Sequence, residues 1–439
     1  MKRILNALFL IALMLIPVLS VHRYSVTIWT AEEPINVGRV FRNLSLMPAD
    51  IAVGVALVIL LLSRPWRYRA FIRRLLMEIG GIWWLLLAGW GVCSALWARE
   101  SNLVLYNSFH MLLEILIAGS VAYVVFEKRE KPLLIAAVFG MIVQSLIAIG
   151  QLATEGAIGL SWLGEITRDP ENPFGFDTQG FRGYGLESHP NILAGALLIG
   201  VFLTVILWVQ RHRWWWIVAG AIIFMGMLAT VSRNVIAVTL LTLIPLLVWY
   251  NRKYLNRMMI MRFAVASLIV IGIAAVTIGR GFMGDFWDRT KIYVEEPQAF
   301  FDRLVFAKDD TIAVTRNTPL QGVGMGNLMI EIGFWRDVPD NPLLLPVHNV
   351  YLMVMAELGL IGFVFYGMGC FGILARLRDN PIIGTMFLAI CLSMLFDFYF
   401  WHQLRMRLLF FWVIGLCWGY LLRAADPDTP LPGLDYPRS

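Results

Sequence analysis

The stretch Pro346–Arg378 reads PVHNVYLMVMAELGLIGFVFYGMGCFGILARLR. A polar opening, His348-Asn349, gives way to an apolar run whose one charged residue is Glu357, and the run ends at Arg376 and Arg378. About 20 apolar residues in a helix cross about 30 Å of hydrocarbon. The stretch is therefore predicted as a membrane-spanning helix over 349–374, with an imidazole at one mouth and cations at the other. Gly359 follows His348 by about three helical turns and shares its face, and Gly362 lies one turn further along it. Glycines on one face let a neighbouring helix approach closely. The plainer reading is an interfacial histidine before an ordinary span, and the rest of the chain weighs between the two.

Outward from this segment the pattern repeats. The chain has 439 residues, 59% hydrophobic and 15% charged, with mean hydropathy +0.70. A soluble protein of this length could not hide so much apolar surface. About twelve spans of roughly 16–24 residues are predicted: 4–21, 47–62, 81–97, 103–126, 132–152, 190–209, 214–230, 234–250, 263–279, 349–374, 381–398 and 408–422. Met1–Ser20 has the outline of a signal peptide, but retaining it as a first helix keeps the charge pattern consistent. The net charge of +6 is no nucleic-acid footprint, because Lys and Arg gather in short links between apolar runs. Arg64, Arg67, Arg69, Arg73 and Arg74 form one such link; Lys128, Arg129 and Lys131 form another. Further links carry Arg211 and Arg213, then Arg252, Lys253 and Arg257, then Arg376 and Arg378. All fall on the side of Lys2-Arg3, which places both termini in the cytoplasm.

The expectation is an all-α polytopic membrane protein, a single domain over 1–439 with two long extracytoplasmic (periplasmic) loops, 153–189 and 280–348. The second is partly helical over Gln298–Val314, and 424–439 is a proline-rich tail expected to be disordered in the cytoplasm. Loops of this length usually carry function. Residues 66–80 read as a basic amphipathic helix on the inner surface, and Trp214-Trp215-Trp216 as an interfacial belt. No internal repeat is visible, which weighs against transporters built on inverted repeats. Cys93, Cys370, Cys391 and Cys417 all lie in apolar segments, a spacing that suits neither a disulfide framework nor a zinc site.

Candidate chemistry gathers at the outward loops. Arg233, in Ser232-Arg233-Asn234 at a hairpin tip, can hold a phosphate or carboxylate with two parallel hydrogen bonds, or simply snorkel to water. Arg303, in Phe300-Phe301-Asp302-Arg303, suits an anionic headgroup at the membrane surface or a pair with Asp302. Arg289 and Arg182 are weaker candidates of the same kind. Gly322-Val323-Gly324-Met325-Gly326 lacks the preceding strand and lysine of a nucleotide loop and reads as a tight turn positioning a helix. Asp309-Asp310 has no complementary ligand spacing, so no metal is expected. Glu357 is out of phase with His348 on the helix and points away from it. Asp397, near Tyr399, Trp401 and His402, could orient a charged group at the outer mouth. His189, before Pro190, reads as a helix cap.

Together these pieces resemble the superfamily of O-antigen ligases and O-antigen polymerases. The matching features are Ser232-Arg233 in a tight hairpin, Arg303 before Pro319–Asn327, and His348-Asn349 with Gly359 and Gly362. His189-Pro190-Asn191-Ile192-Leu193-Ala194 is similar to the Pro-Asn-x-Leu-Ala start of a family helix. The motifs cover about 180–365, and Ala307 stands near where many members have Trp. The resemblance implies a ligase-like glycosyltransferase in the bacterial inner membrane, working at its periplasmic face without metal, nucleotide or other cofactor. Its donor would be an undecaprenyl-diphosphate-linked glycan. Its acceptor would be a lipid A-core sugar in a ligase, or a second lipid-linked repeat unit in a polymerase.

The residues suit that chemistry. A diphosphate leaving group needs positive charge as the glycosidic bond breaks, which Arg233 and Arg303 can supply. A sugar hydroxyl attacks better with a general base, and an imidazole, with its ordinary pKa of about 6.5, suits that role near neutral pH. His348 is expected as that base or as a phosphate-binding cation; Arg289, Arg182, Asn349 and Asp397 are expected around the substrates. A transporter of lipid-linked glycans is the reading from another class, and it would place its ionisable groups near the bilayer midplane.

Overall fold

The computed structural model describes residues 2–21, 25–32, 42–62, 69–165, 182–251, 308–335, 346–376 and 380–425. In chain order they form α1 (Lys2–Leu19), β1 (Val26–Thr30), β2 (Asn43–Leu46), α2 (Pro48–Leu62), α3 (Arg69–Met77) and α4 (Gly81–Cys93). There follow α5 (Ser101–Phe126), α6 (Lys131–Thr154), α7 (Pro190–Arg211), α8 (Trp215–Ala229) and α9 (Arg233–Asn251). The chain is completed by α10 (Leu328–Trp335), α11 (Val350–Leu374), α12 (Pro381–Ser393), the single turn α13 (Tyr399–His402) and α14 (Leu404–Ala424). Residues 308–317 are also helical.

Helices α5, α6, α7, α9, α11 and α14 are long and apolar enough to cross a membrane. Helices α3 and α4 form a pair bent by 83°, and α1, α2, α8 and α12 are shorter apolar helices. The protein is an all-α, multi-pass membrane protein. The predicted spans coincide with helices except 263–279, which lies outside the described residues. So do most of Gln298–Val314, the tail after Ala425, and both Arg289 and Arg303.

The antiparallel pair β1–β2 is a departure from the sequence expectation. Its signal is the β-branched and aromatic run Val26-Thr27-Ile28-Trp29-Thr30, which favours strand but is too short to stand out beside the long apolar spans.

The core is organised around α14, which lies against α5 and is buried almost throughout, as is α7. Burial explains how α14 tolerates three arginines. Each meets a carboxylate: Arg407 Nε lies 2.8 Å from Glu114, Arg423 Nη2 3.0 Å from Glu130, and Arg405 Nη1 3.2 Å from Glu187. Arg407 also donates to the carbonyl of Asn107 at 3.0 Å. Charges removed from water cost several kcal/mol each unless paired and hydrogen-bonded.

Helix α11 is broken at Gly359, where φ is 65° and ψ −170°. Breaking a helix orphans carbonyls before the break and amides after it, and inside lipid each orphan costs several kcal/mol. The glycine-rich turn receives them. The amides of Val323 and Gly324 donate to the carbonyls of Ala356 and Glu357 at 3.0 and 2.8 Å, while Leu360 and Ile361 donate to Pro319 and Leu320 at 2.9 and 3.3 Å. The Trp90 indole takes the remaining carbonyl, Leu358, at 2.8 Å. So the glycines do not serve helix–helix packing, as the sequence suggested at Gly359. They admit a loop: a Cβ on Gly359 would stand 2.2 Å from the Leu320 carbonyl oxygen, and one on Gly322 2.3 Å from that of Glu357.

Gly359→Ala is expected to lower stability by about 3 kcal/mol or more, since its backbone region costs about 1–3 kcal/mol for a residue with a side chain before any clash is counted. An unchanged thermal midpoint in detergent would contradict this account. Glu114→Gln is expected to cost about 3–5 kcal/mol by leaving Arg407 buried without its counter-charge, and the double change Glu114→Leu with Arg407→Met should recover most of that midpoint loss.

Candidate functional site

One end of the bundle collects the polar residues singled out in the sequence. Helix α7 starts there at Pro190, whose ring fits a first helical turn, and His189 caps it by accepting the Asn191 amide on Nδ1 at 3.1 Å. Helix α11 starts beside it. Asn349 is its cap, accepting the Leu352 amide at 3.0 Å and donating to the Leu395 carbonyl at 3.1 Å. The Val350 amide donates to Met394 at 2.9 Å. These bonds tie the start of α11 to the 394–398 loop, and so bring His348 next to Asp397.

The His348 ring packs edge-on against Phe398, centroids 5.2 Å apart. Its Nδ1 is buried and makes no hydrogen bond among the described residues. Asp397 is buried; one oxygen accepts the Phe398 amide at 2.9 Å and the other the Asn191 side chain at 3.0 Å. Asn191 in turn accepts from Arg182 at 2.7 Å. Arg182 donates through Nε to the Thr230 carbonyl at 2.8 Å, and the Gly183 amide donates to Ala229 at 2.8 Å. The chain Asp397–Asn191–Arg182–Thr230 therefore runs from the start of α11 to the hairpin at the end of α8. Arg233, the first residue of α9, lies three positions beyond Thr230 and is half-buried.

The structure thus gathers His348, Asn349, Asp397 and Arg182 at one end, with Arg233 on the hairpin that Arg182 grips. Arg303 and Arg289 fall outside the described residues. Two participants were not recognised as such from sequence. Asn191 was quoted only as part of a motif, yet it links Arg182 to Asp397. His189 reads as a cap and is one, but its dense surroundings, then the Arg182 guanidinium and the neighbouring His348, lower its pKa, although its ring still reaches the surface. The signal available was its place at a loop–span boundary, where polar side chains face neither lipid nor bulk water. Glu357 has other partners, accepting from the amides of Gly326 and Leu328 and from the Trp401 indole at 2.8 Å. Its carboxylate thereby caps the start of α10, where negative charge is favoured.

Burial raises the Asp397 pKa above its ordinary carboxylate value of 3.8, and His348, the Phe398 amide, Asn191 and Arg182 offset this only in part. A carboxyl whose pKa rises on folding is protonated more readily in the folded state, so its ionisation weakens the fold progressively as pH rises above the unfolded value. Asp397→Asn cannot ionise. Its thermal midpoint relative to the parent protein is expected to rise between about pH 4 and pH 7; a difference that is flat or falls with pH would refute the burial argument.

Residues 218–367 match a family model, Wzy_C, described as O-antigen ligase. No curated protein matches the chain. The matched stretch runs from α8 through the Arg233 hairpin and the glycine-rich turn to His348 and the first part of α11. Over these residues the protein is similar to O-antigen ligases.

Proposed function

We propose that the protein transfers a glycan from an undecaprenyl-diphosphate donor to a lipid A-core acceptor at the periplasmic face of the bacterial inner membrane, with both termini in the cytoplasm. The observation that carries the reading is that His348 and Arg182 both act electrostatically on Asp397 at one end of the bundle, while Arg182 holds the Thr230 carbonyl on the hairpin of Arg233; of these, His348 and the hairpin lie inside the family-matched residues 218–367.

In this reading the acceptor hydroxyl loses its proton to His348 as its oxygen attacks the anomeric carbon. The bond from that carbon to the diphosphate oxygen breaks, and undecaprenyl diphosphate leaves with the electron pair. A general base of this kind contributes about 10²–10⁴-fold in rate. Asp397 faces the imidazole and stabilises the charge that it gains. Its bond to Asn191 and the bond from Asn191 to Arg182 fix the carboxylate in place. Arg233 and Arg303 hold the diphosphate, where preorganised cations favour the departing charge without a metal. Arg182, anchored to the same hairpin, sets where Arg233 stands, and Arg289 adds charge to the donor side. The edge contact with Phe398 and the cap by Asn349 limit the motion of His348, which matters because small misplacements of a reacting group are costly.

Polymerisation of lipid-linked repeat units is the second reading, since the family match spans ligase-like and polymerase-like chemistry. Purified protein offered a lipid-linked glycan with either a lipid A-core acceptor or a second lipid-linked unit decides between them by product mass. His348→Ala is expected to slow transfer by about 10²–10⁴-fold. Arg233→Lys is expected to raise the donor KM, because an ammonium cannot reproduce a two-bond grip on phosphate. Transfer at the parent rate in His348→Ala would remove the mechanism, and net glycan movement between compartments without a new glycosidic bond would make the protein a transporter.

A further inference from the structure

A cavity with His402 on its wall lies beyond Phe398. Its volume is about 470 Å³, and its lining comes from the β1–β2 region, α5, the 161–164 turn, Ser188, Gly326 and residues 402–405. The His402 ring stands 6.1 Å from Phe398, whose other neighbour is His348 at 5.2 Å. The cavity therefore abuts the candidate site without being part of the network described there.

Its chemistry is specific. Some polar groups on the wall are already committed: the Tyr106 hydroxyl binds the Ser45 backbone, and Asn107 binds the Leu103 carbonyl at 2.9 Å. Others are not. The side chains of Ser25, Ser161, Ser188 and Gln403 line the cavity and hold no hydrogen bond among the described residues. Three hydroxyls and one carboxamide thus offer donors and acceptors of both kinds. The charge balance gives the wall no net charge to draw in a strongly anionic guest. Among the described residues Arg405 is the one ionised side chain on the wall, and buried Glu187 stands 3.2 Å from it. Burial, followed by Arg407, lowers the His402 pKa to about 4, so that ring is uncharged at neutral pH. A cavity of mixed polar and apolar lining, with donors, acceptors, an aromatic side chain and no net charge, matches a polyhydroxylated, uncharged ring with its polar edges and apolar faces.

We infer that this cavity is a subsite for a neutral sugar residue of a glycan substrate, held beside the reacting sugars by Ser161, Ser188 and Gln403. The inference rests on the transferase reading for the source of that sugar, which is either the donor glycan or the acceptor glycan. The binding itself is independent of that reading.

The test uses the full chain in nanodiscs. Saturation-transfer NMR with glucose, galactose and N-acetylglucosamine is expected to show transfer above empty nanodiscs, and glucuronate and galacturonate are expected to bind more weakly. Ser161→Trp, which fills the cavity, and Gln403→Leu, which removes its carboxamide, are each expected to weaken binding at least tenfold; His348→Ala should leave it intact. No transfer above empty nanodiscs, equal binding in both variants, or tighter binding of the uronates would overturn the subsite. In the glycan-transfer assay, Gln403→Leu is expected to raise the KM for one substrate alone with little change in kcat. A donor-side rise identifies the donor glycan as the occupant, an acceptor-side rise the acceptor, and no rise in either overturns the assignment. Loss of the transferase reading with sugar binding retained would leave the cavity a sugar site and change only its source.

Discussion

Helix α11 can be broken only because another segment completes its hydrogen bonds. Among the described residues, the carbonyls of Ala356, Glu357 and Leu358 and the amides of Leu360 and Ile361 all find partners, four of them on the Pro319–Gly324 turn. In hydrocarbon no water is present to substitute for those partners. The turn and the break are therefore one structure formed by two distant parts of the chain. The Trp97 indole fixes the Gly322 carbonyl at 2.9 Å, and Ser94 accepts the Met325 amide at 3.1 Å, so the end of α4 secures the same joint.

That joint sets the geometry of everything near His348. The turn leads into α10, whose start is capped by Glu357 from α11 itself. Beyond the break, the first half of α11 carries Asn349 and His348 to the 394–398 loop, where Asp397 waits. A carboxylate buried in this way is costly unless hydrogen-bonded, and Asn191 and the Phe398 amide meet that need. Their satisfaction leaves Asp397 fixed in position beside the imidazole. Strain, capping and polar networks at this end of the bundle thus act on a single arrangement.

The three arginines of α14 show the same principle applied to stability. A charged helix at the centre of a membrane protein is tolerable when every charge is met from a neighbouring element. Glu114 comes from α5, Glu130 from the link before α6, and Glu187 from the approach to α7. These pairs bind three other parts of the chain to one central helix. The Glu187 pair also meets the charge of Arg405, which lines the cavity beside His402.

Much of this was legible in the residues. The apolar runs between Lys- and Arg-rich links located the helices, because hydrocarbon thickness fixes their length and the cost of burying charge fixes their ends. His348-Asn349 at the head of such a run, and His189-Pro190 at another, marked chain entering a span. What the sequence could not supply was which separated polar residues meet. Asn191 joins Arg182 to Asp397 across more than 200 positions, |i−j| = 206 for its bond to Asp397, and no local periodicity encodes such a pairing. The spacing of Gly359 and Gly362 suggested a helix seam, whereas the left-handed backbone at Gly359 and the loop lodged against it emerge only when the turn supplies the missing hydrogen bonds. Local hydropathy is a property of neighbouring residues, so sequence alone located the apolar helices among the described residues. Satisfaction of buried polar groups is a property of distant ones, so only the tertiary structure brought the residues of the candidate site together.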